Sequence, residues 1–178
     1  MDSIEIMLKE YETLRQEILA AFNNRNSILS FGLAIIGAIF TASIATFTGS
    51  TSSLLSSLVL VLAVPAISIF VLFMWLGEYQ RMQRAGKFLV DLERRINEEA
   101  SKELLTWETH LRAQRRHMKY PYNTTVMLLT VINVISLIIG LVILGLSTSL
   151  TWILAVAGVI LHLAVCGYAV SSISKLRL

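Results

Sequence analysis

At 178 residues, with a 55% hydrophobic content, only 15% charged residues and a mean hydropathy of +0.68, the chain is too apolar for a soluble domain of its length. The formal net charge of +3 hides an uneven map, because no Lys, Arg, Asp or Glu occurs between Asn26 and Gly77 or between Tyr120 and Ser174. About 20 apolar residues span a hydrocarbon core, so each uncharged run predicts two membrane helices joined by a short turn of Ser, Thr and Gly.

The N-terminal segment, residues 1–26, is charged but carries apolar groups at Ile4, Met7, Tyr11, Leu14, Ile18 and Ala21. Steps of three and four make this an amphipathic helix with an a/d seam. Neither Pro nor Gly separates it from the first span, residues 27–48, so a single rod of about 45 residues, roughly 65 Å long, is expected.

Gly49–Ser53 forms the first outer turn and residues 54–77 the second span, where Pro65 removes a backbone donor and predicts a hinge. Residues 78–119 form a cytoplasmic helical hairpin. Met82, Ala85, Leu89, Leu92 and Ile96 mark its first helix, Asn97–Ser101 a break, and Leu104, Trp107, Leu111 and Met118 the returning helix. Pro121 opens the third span, residues 123–146, and the fourth, 150–171, leads to a basic tail at 172–178.

The fold class expected is therefore an all-α membrane protein with four transmembrane helices and a cytoplasmic helical stalk. Lys and Arg collect on the cytoplasmic side, which places both termini and the hairpin inside and makes the chain a multi-pass inner-membrane protein. Nothing resembles a cleavable signal peptide, and the single cysteine, Cys166, lies within the last span. Three amphipathic cytoplasmic helices with narrow apolar stripes argue for packing against further copies, with a tetramer the first guess.

Several residues carry functional alternatives. Ser30, Ala34, Ala38, Ala42 and Thr46 form a small-residue row on the first span, beside a second row of Gly37, Thr41, Ala45 and Gly49. Such rows allow close helix packing in lipid, or they line a pathway whose hydroxyls come from Ser30, Thr41, Ser43 and Thr46. His162 lies near mid-span, level with Asn133 and one turn from Ser136; a buried Asn133–His162 hydrogen bond is the structural expectation, a proton relay or gate the functional one. Arg81, Arg84, Lys87, Arg112, Arg115, Arg116 and Lys119 flank the membrane as headgroup contacts or as an anion pocket.

His110, His117 and Glu103 share a helix face but lie two turns apart, a poor spacing for one metal ion, so no metal site and no cofactor is expected. Trp75, Tyr79, Tyr120 and Tyr122 fit an inner aromatic belt and Trp152 an outer one. No nucleophile, base and oxyanion-hole arrangement is present, so the chain does not read as an enzyme.

The segment Glu78–Glu99, EYQRMQRAGKFLVDLERRINEE, with TWETHLR at Thr106–Arg112, resembles the connector of small bacterial four-span inner-membrane proteins. The overall plan is similar to compact membrane effectors of nucleotide-signalled phage-defence systems, of the Hailong or cyclic-oligonucleotide type. That resemblance implies an effector opened or restrained by a nucleotide signal from a cytosolic enzyme, although many such effectors carry a separate ligand-binding domain not seen here. The expected function is a homo-oligomeric pore-forming effector or ion channel, gated from the cytoplasm by a partner protein or a nucleotide or oligonucleotide ligand. The alternatives are a non-conducting scaffold that recruits a cytosolic partner to the lipid bilayer, and a small transporter.

Overall fold

A computed structural model of the chain describes residues 3–47, 53–114 and 120–144, together with 153, 156–161, 163–165, 167, 168 and 171. The elements run α1 (Ser3–Phe47), α2 (Ser53–Leu58), a π-helical turn (Val59–Ala63), α3 (Val64–Ala100), α4 (Trp107–Gln114) and α5 (Tyr120–Leu144). The described residues contain no strand. Three helical stretches, Ser3–Thr46, Leu55–Ala100 and Tyr122–Ile143, are long and apolar enough to cross a membrane, and a shorter apolar helix covers Val156–Val165. The described residues are thus almost wholly helical, with helices of the length and composition of a membrane protein.

It divides into two units, each built from separate stretches of chain. One comprises Met1–Ser27 and Leu76–Pro121, the other Ile28–Trp75 and Tyr122–Leu178.

In the first unit the seam expected on α1 is the face that α1 buries. Met7 and Tyr11, with Ile4, Leu14 and Ile18 beside them, pack on Leu89, Leu92 and Ile96 of α3 and on Leu105. These stripes therefore satisfy one another within one chain, and they no longer argue for further copies.

The returning segment differs from expectation. Leu104 and Trp107 are exposed, whereas Leu105 and Glu108 turn inward; Leu111 is half-buried as expected, and Met118 lies outside the described residues.

The break expected at Asn97–Ser101 falls later, since α3 continues through Asn97 to Ala100. Ser101 then adopts a left-handed φ of 50°. Its N–H reaches Glu98 O, and Lys102 N–H reaches Asn97 O, both at 3.2 Å, the paired bonds of a Schellman stop. The Asn97 side chain pins the connection to α4. Its Oδ1 accepts from Leu104 N–H (2.8 Å) and Leu105 N–H (2.9 Å), while Nδ2 donates to Leu105 O (2.7 Å).

In the second unit the helices meet through small residues. A Cβ built on Gly32 of α1 would lie 2.6 Å from a Val71 methyl, so only glycine admits α3 so closely. A Cβ on Gly140 of α5 would lie 2.7 Å from Val61 and 3.3 Å from the Ser57 carbonyl oxygen. The buried face of α5 runs Val126, Leu129, Asn133, Ser136 and Leu137 to Gly140, while Met127, Ile138 and Val142 on its other side are exposed. An apolar outer surface with small and polar residues inward is the arrangement that lipid as solvent selects. Described residues of the last apolar segment pack here too, with Tyr168 tilted against Phe73 at a 6.3 Å centroid separation and Gly158 near Leu137.

Candidate functional site

α1 buries Gly32, Ile36 and Ser43 within the membrane unit. The row Ser30, Ala34, Ala38, Ala42 and Thr46 is exposed, as are Gly37, Thr41 and Ala45 of the second row; Gly49 lies outside the described residues. Ser30, Ala34, Ala38 and Ala42 thus lie off the face that α1 buries, whereas Thr46 touches Ser56 of the same chain; a Cβ on Gly37 would meet nothing within 4 Å. Beside them an apolar groove of about 320 Å³ runs between α1 and α5, lined by Leu33, Ile36, Gly37, Phe40, Ile132 and Ile135 among others. The hydroxyls are partly committed. Thr41 donates to Gly37 O at 2.9 Å, Thr46 donates to Ala42 O at 3.0 Å, and Thr46 also pairs with Ser56 at 2.8 Å.

Pro65 is buried one residue into α3, directly after the π-turn. Val64 N–H reaches back five residues to Val59 O, and Ser136 Oγ donates to Leu60 O at 2.5 Å. One turn earlier Ser57 Oγ donates to Gly140 O at 2.6 Å. Asn133 is fully buried beside this contact on α5. The Asn133–His162 pair expected from the sequence lies outside the described residues, because His162 is not among them.

Of the basic residues, Arg81 is already engaged. Its Nη2 and Nε donate to Glu17 Oε1 at 2.8 and 3.0 Å, and Glu78 lies 3.8 Å away. Bonding to Glu17 first, and its charge second, push the Arg81 guanidinium above its usual range. Arg84 and Lys87 are exposed and have no ion-pair partner among the described residues. The Arg112 side chain and Arg115, Arg116 and Lys119 lie outside the described residues.

The best-built polar centre is none of these. Glu93, 1% exposed, sits among Leu89, Leu92 and Ile96 on the buried face of α3. Its Oε1 accepts from Tyr11 Oη–H (2.9 Å) and Glu108 N–H (2.9 Å). Oε2 accepts from Thr109 N–H (3.0 Å) and Thr109 Oγ–H (2.9 Å). Thr106 O accepts the first turn bond of α4 from His110 N–H, so Glu108 and Thr109 present the orphan donors of that helix start. A carboxylate on another helix thus performs the task of an N-cap side chain, aided by the helix dipole. Burial pushes the Glu93 carboxyl up, but the two backbone donors and two hydroxyls outweigh it and leave it below the ordinary range. Burial, then the bond to Glu93, raises Tyr11 to about 12. Sequence reasoning missed this centre; the signal for it is a carboxylate interrupting the apolar stripe of Leu89, Leu92 and Ile96.

The aromatic belt is corrected in part. Trp75 and Tyr79 are buried among protein atoms rather than displayed to headgroups, and Trp75 meets Tyr122 edge-on at 6.0 Å. His110 is exposed and bonds Gln114 at 2.9 Å, and His117 lies outside the described residues. No group of three or more metal-ligating side chains occurs among the described residues. No family model, curated protein or solved structure matches the chain.

Proposed function

We propose that the chain is a homo-oligomeric inner-membrane effector that forms or gates an ion pathway, its four spans placing both termini in the cytoplasm. The observation that carries this reading is the outward display of Ser30, Ala34, Ala38 and Ala42. The chain packs α1 through Gly32, Ile36 and Ser43 and leaves Ser30, Ala34, Ala38 and Ala42 exposed. Such a face suits close approach of further copies in lipid, where packing drives association. Under this reading α1 of each copy borders the pathway, and the cytoplasmic stalk passes on a signal from a partner or an anionic, nucleotide-type ligand. Arg84 and Lys87 are exposed cations available to such an anion.

Inducible expression with a membrane-potential dye tests it. Depolarisation that changes on Ala38→Phe or Ala42→Phe supports the pathway. An unchanged potential in parent and variants rejects it.

A second reading, a non-conducting scaffold, is favoured by the Thr41 hydroxyl, which is turned back onto its own backbone rather than offered to a lumen. It predicts an unchanged potential together with a cytosolic protein retained through residues 1–25 or 78–119.

A further inference from the structure

The π-turn, Pro65 and Ser136 meet at one contact in the second span. In the wide register Val64 N–H bonds Val59 O, and the carbonyl that residue 65 would serve is Leu60 O. Proline has no N–H to give it, and the orphaned carbonyl is met by Ser136 Oγ at 2.5 Å. Were the turn to tighten to α, Val64 N–H would take Leu60 O instead. The orphan would then be Val61 O, turned by about 100° around the helix axis. A hydroxyl fixed on α5 and aimed at residue 60 cannot serve both positions.

We propose that Ser136 selects the wide register of this span, and that withdrawing its hydroxyl lets the turn close into α-helix. Closure carries Ser53–Leu58 around the axis by about one residue relative to α3, drawing Ser57 away from Gly140. Ser57 and Gly140 lie close enough to feel that change, with the Ser57 carbonyl oxygen 3.3 Å from a Gly140 Cβ position. Small shifts between two packed arrangements are how such elements switch. The device is the same whether the assembly conducts or only anchors.

The test uses the full chain in detergent, with Cys166→Ala and a Ser57→Cys reporter. Ser57 is fully buried, so thiol labelling by a small maleimide reads withdrawal of α2 from α5. Ser136→Ala should speed labelling about tenfold, the population shift one lost buried hydrogen bond allows, and Ser136→Thr should not. Equal rates for Ser136, Ala and Thr would overturn the proposal. The control is Pro65→Ala, which supplies an N–H for Leu60 O in the wide register and for Val61 O in the closed one, so that neither carbonyl is orphaned. In that background Ser136→Ala should change the labelling rate far less than it does beside Pro65. Acceleration by the same factor with and without Pro65 means the effect does not run through the Leu60 carbonyl, and also overturns it.

Discussion

Tyr11 and Glu93, 82 positions apart, share a buried hydrogen bond of 2.9 Å that joins the N-terminal helix to the hairpin. The same carboxylate holds the first free N–H groups of α4, so one side chain ties three helices together. Glu93→Ala should therefore cost more than any surface change in this unit. Removing it takes the acceptor from two buried donors, Glu108 N–H and Tyr11 Oη–H, at about 1–3 kcal/mol each, while the exposed Thr109 can turn to water. Tyr11→Phe removes one donor only and should cost about 1–2 kcal/mol. Amide exchange at residues 108–114 reads this locally, and Glu93→Ala should release that protection while leaving residues 120–144 unchanged.

The same bonds set a pH dependence of opposite sign at each end. Glu93 is lowered on folding, so its contribution is present above the ordinary carboxylate range and is lost as pH falls through its depressed value. Tyr11 is raised from 10.0 to about 12, so its contribution is intact below pH 10.0 and is lost as pH rises through about 12. Unfolding of the full chain in detergent should lose stability over that alkaline interval, and Tyr11→Phe should remove that component. A Tyr11→Phe profile parallel to the parent's throughout contradicts it.

Ser101 occupies a left-handed position that glycine fills without penalty. Ser101→Gly should stabilise the hairpin by about 1 kcal/mol, since the strain relieved exceeds the entropy glycine adds to the unfolded chain. Ser101→Val should destabilise it by more, because a β-branched side chain tolerates positive φ least. Denaturant midpoints of the three chains, at unchanged slope, give the ranking.

The seam residues Met7, Tyr11, Leu89, Leu92 and Ile96 are legible in the sequence because burial on a helix leaves a period of three to four. That the stripes pair within one chain is not legible, since a stripe names no partner. Asn favours caps and turns, which makes Asn97 look like a break, yet its side chain caps a loop while its backbone stays helical. Pro65 signals a disturbance in the second span. The form it takes depends on Ser136, 71 positions later, and no local pattern carries that. The small-residue rows are visible as close-packing faces, but periodicity cannot tell which of several small faces the chain itself uses. Gly32 and Ser43, rather than Ala34 and Ala38, lie on the inner one.

The glycines of the membrane unit separate intrachain packing from assembly. At Gly32 the three nearest atoms all belong to the Val71 side chain, so Gly32→Ala should cost about 1–3 kcal/mol and Val71→Ala should recover most of it. At Gly140 the neighbours include Leu60 Cβ and the Ser57 backbone oxygen, so Val61→Ala should recover only part of the loss from Gly140→Ala. Gly37 faces open space in the single chain, and Gly37→Leu should leave the fold of an isolated chain untouched. If further copies cover that face, the same change will lower the particle size seen by light scattering in mild detergent. It should do so without altering the helical circular dichroism signal. A particle of unchanged size would place the contact between copies somewhere other than the Gly37 row, and a lost helical signal would mean that this face already packs within one chain.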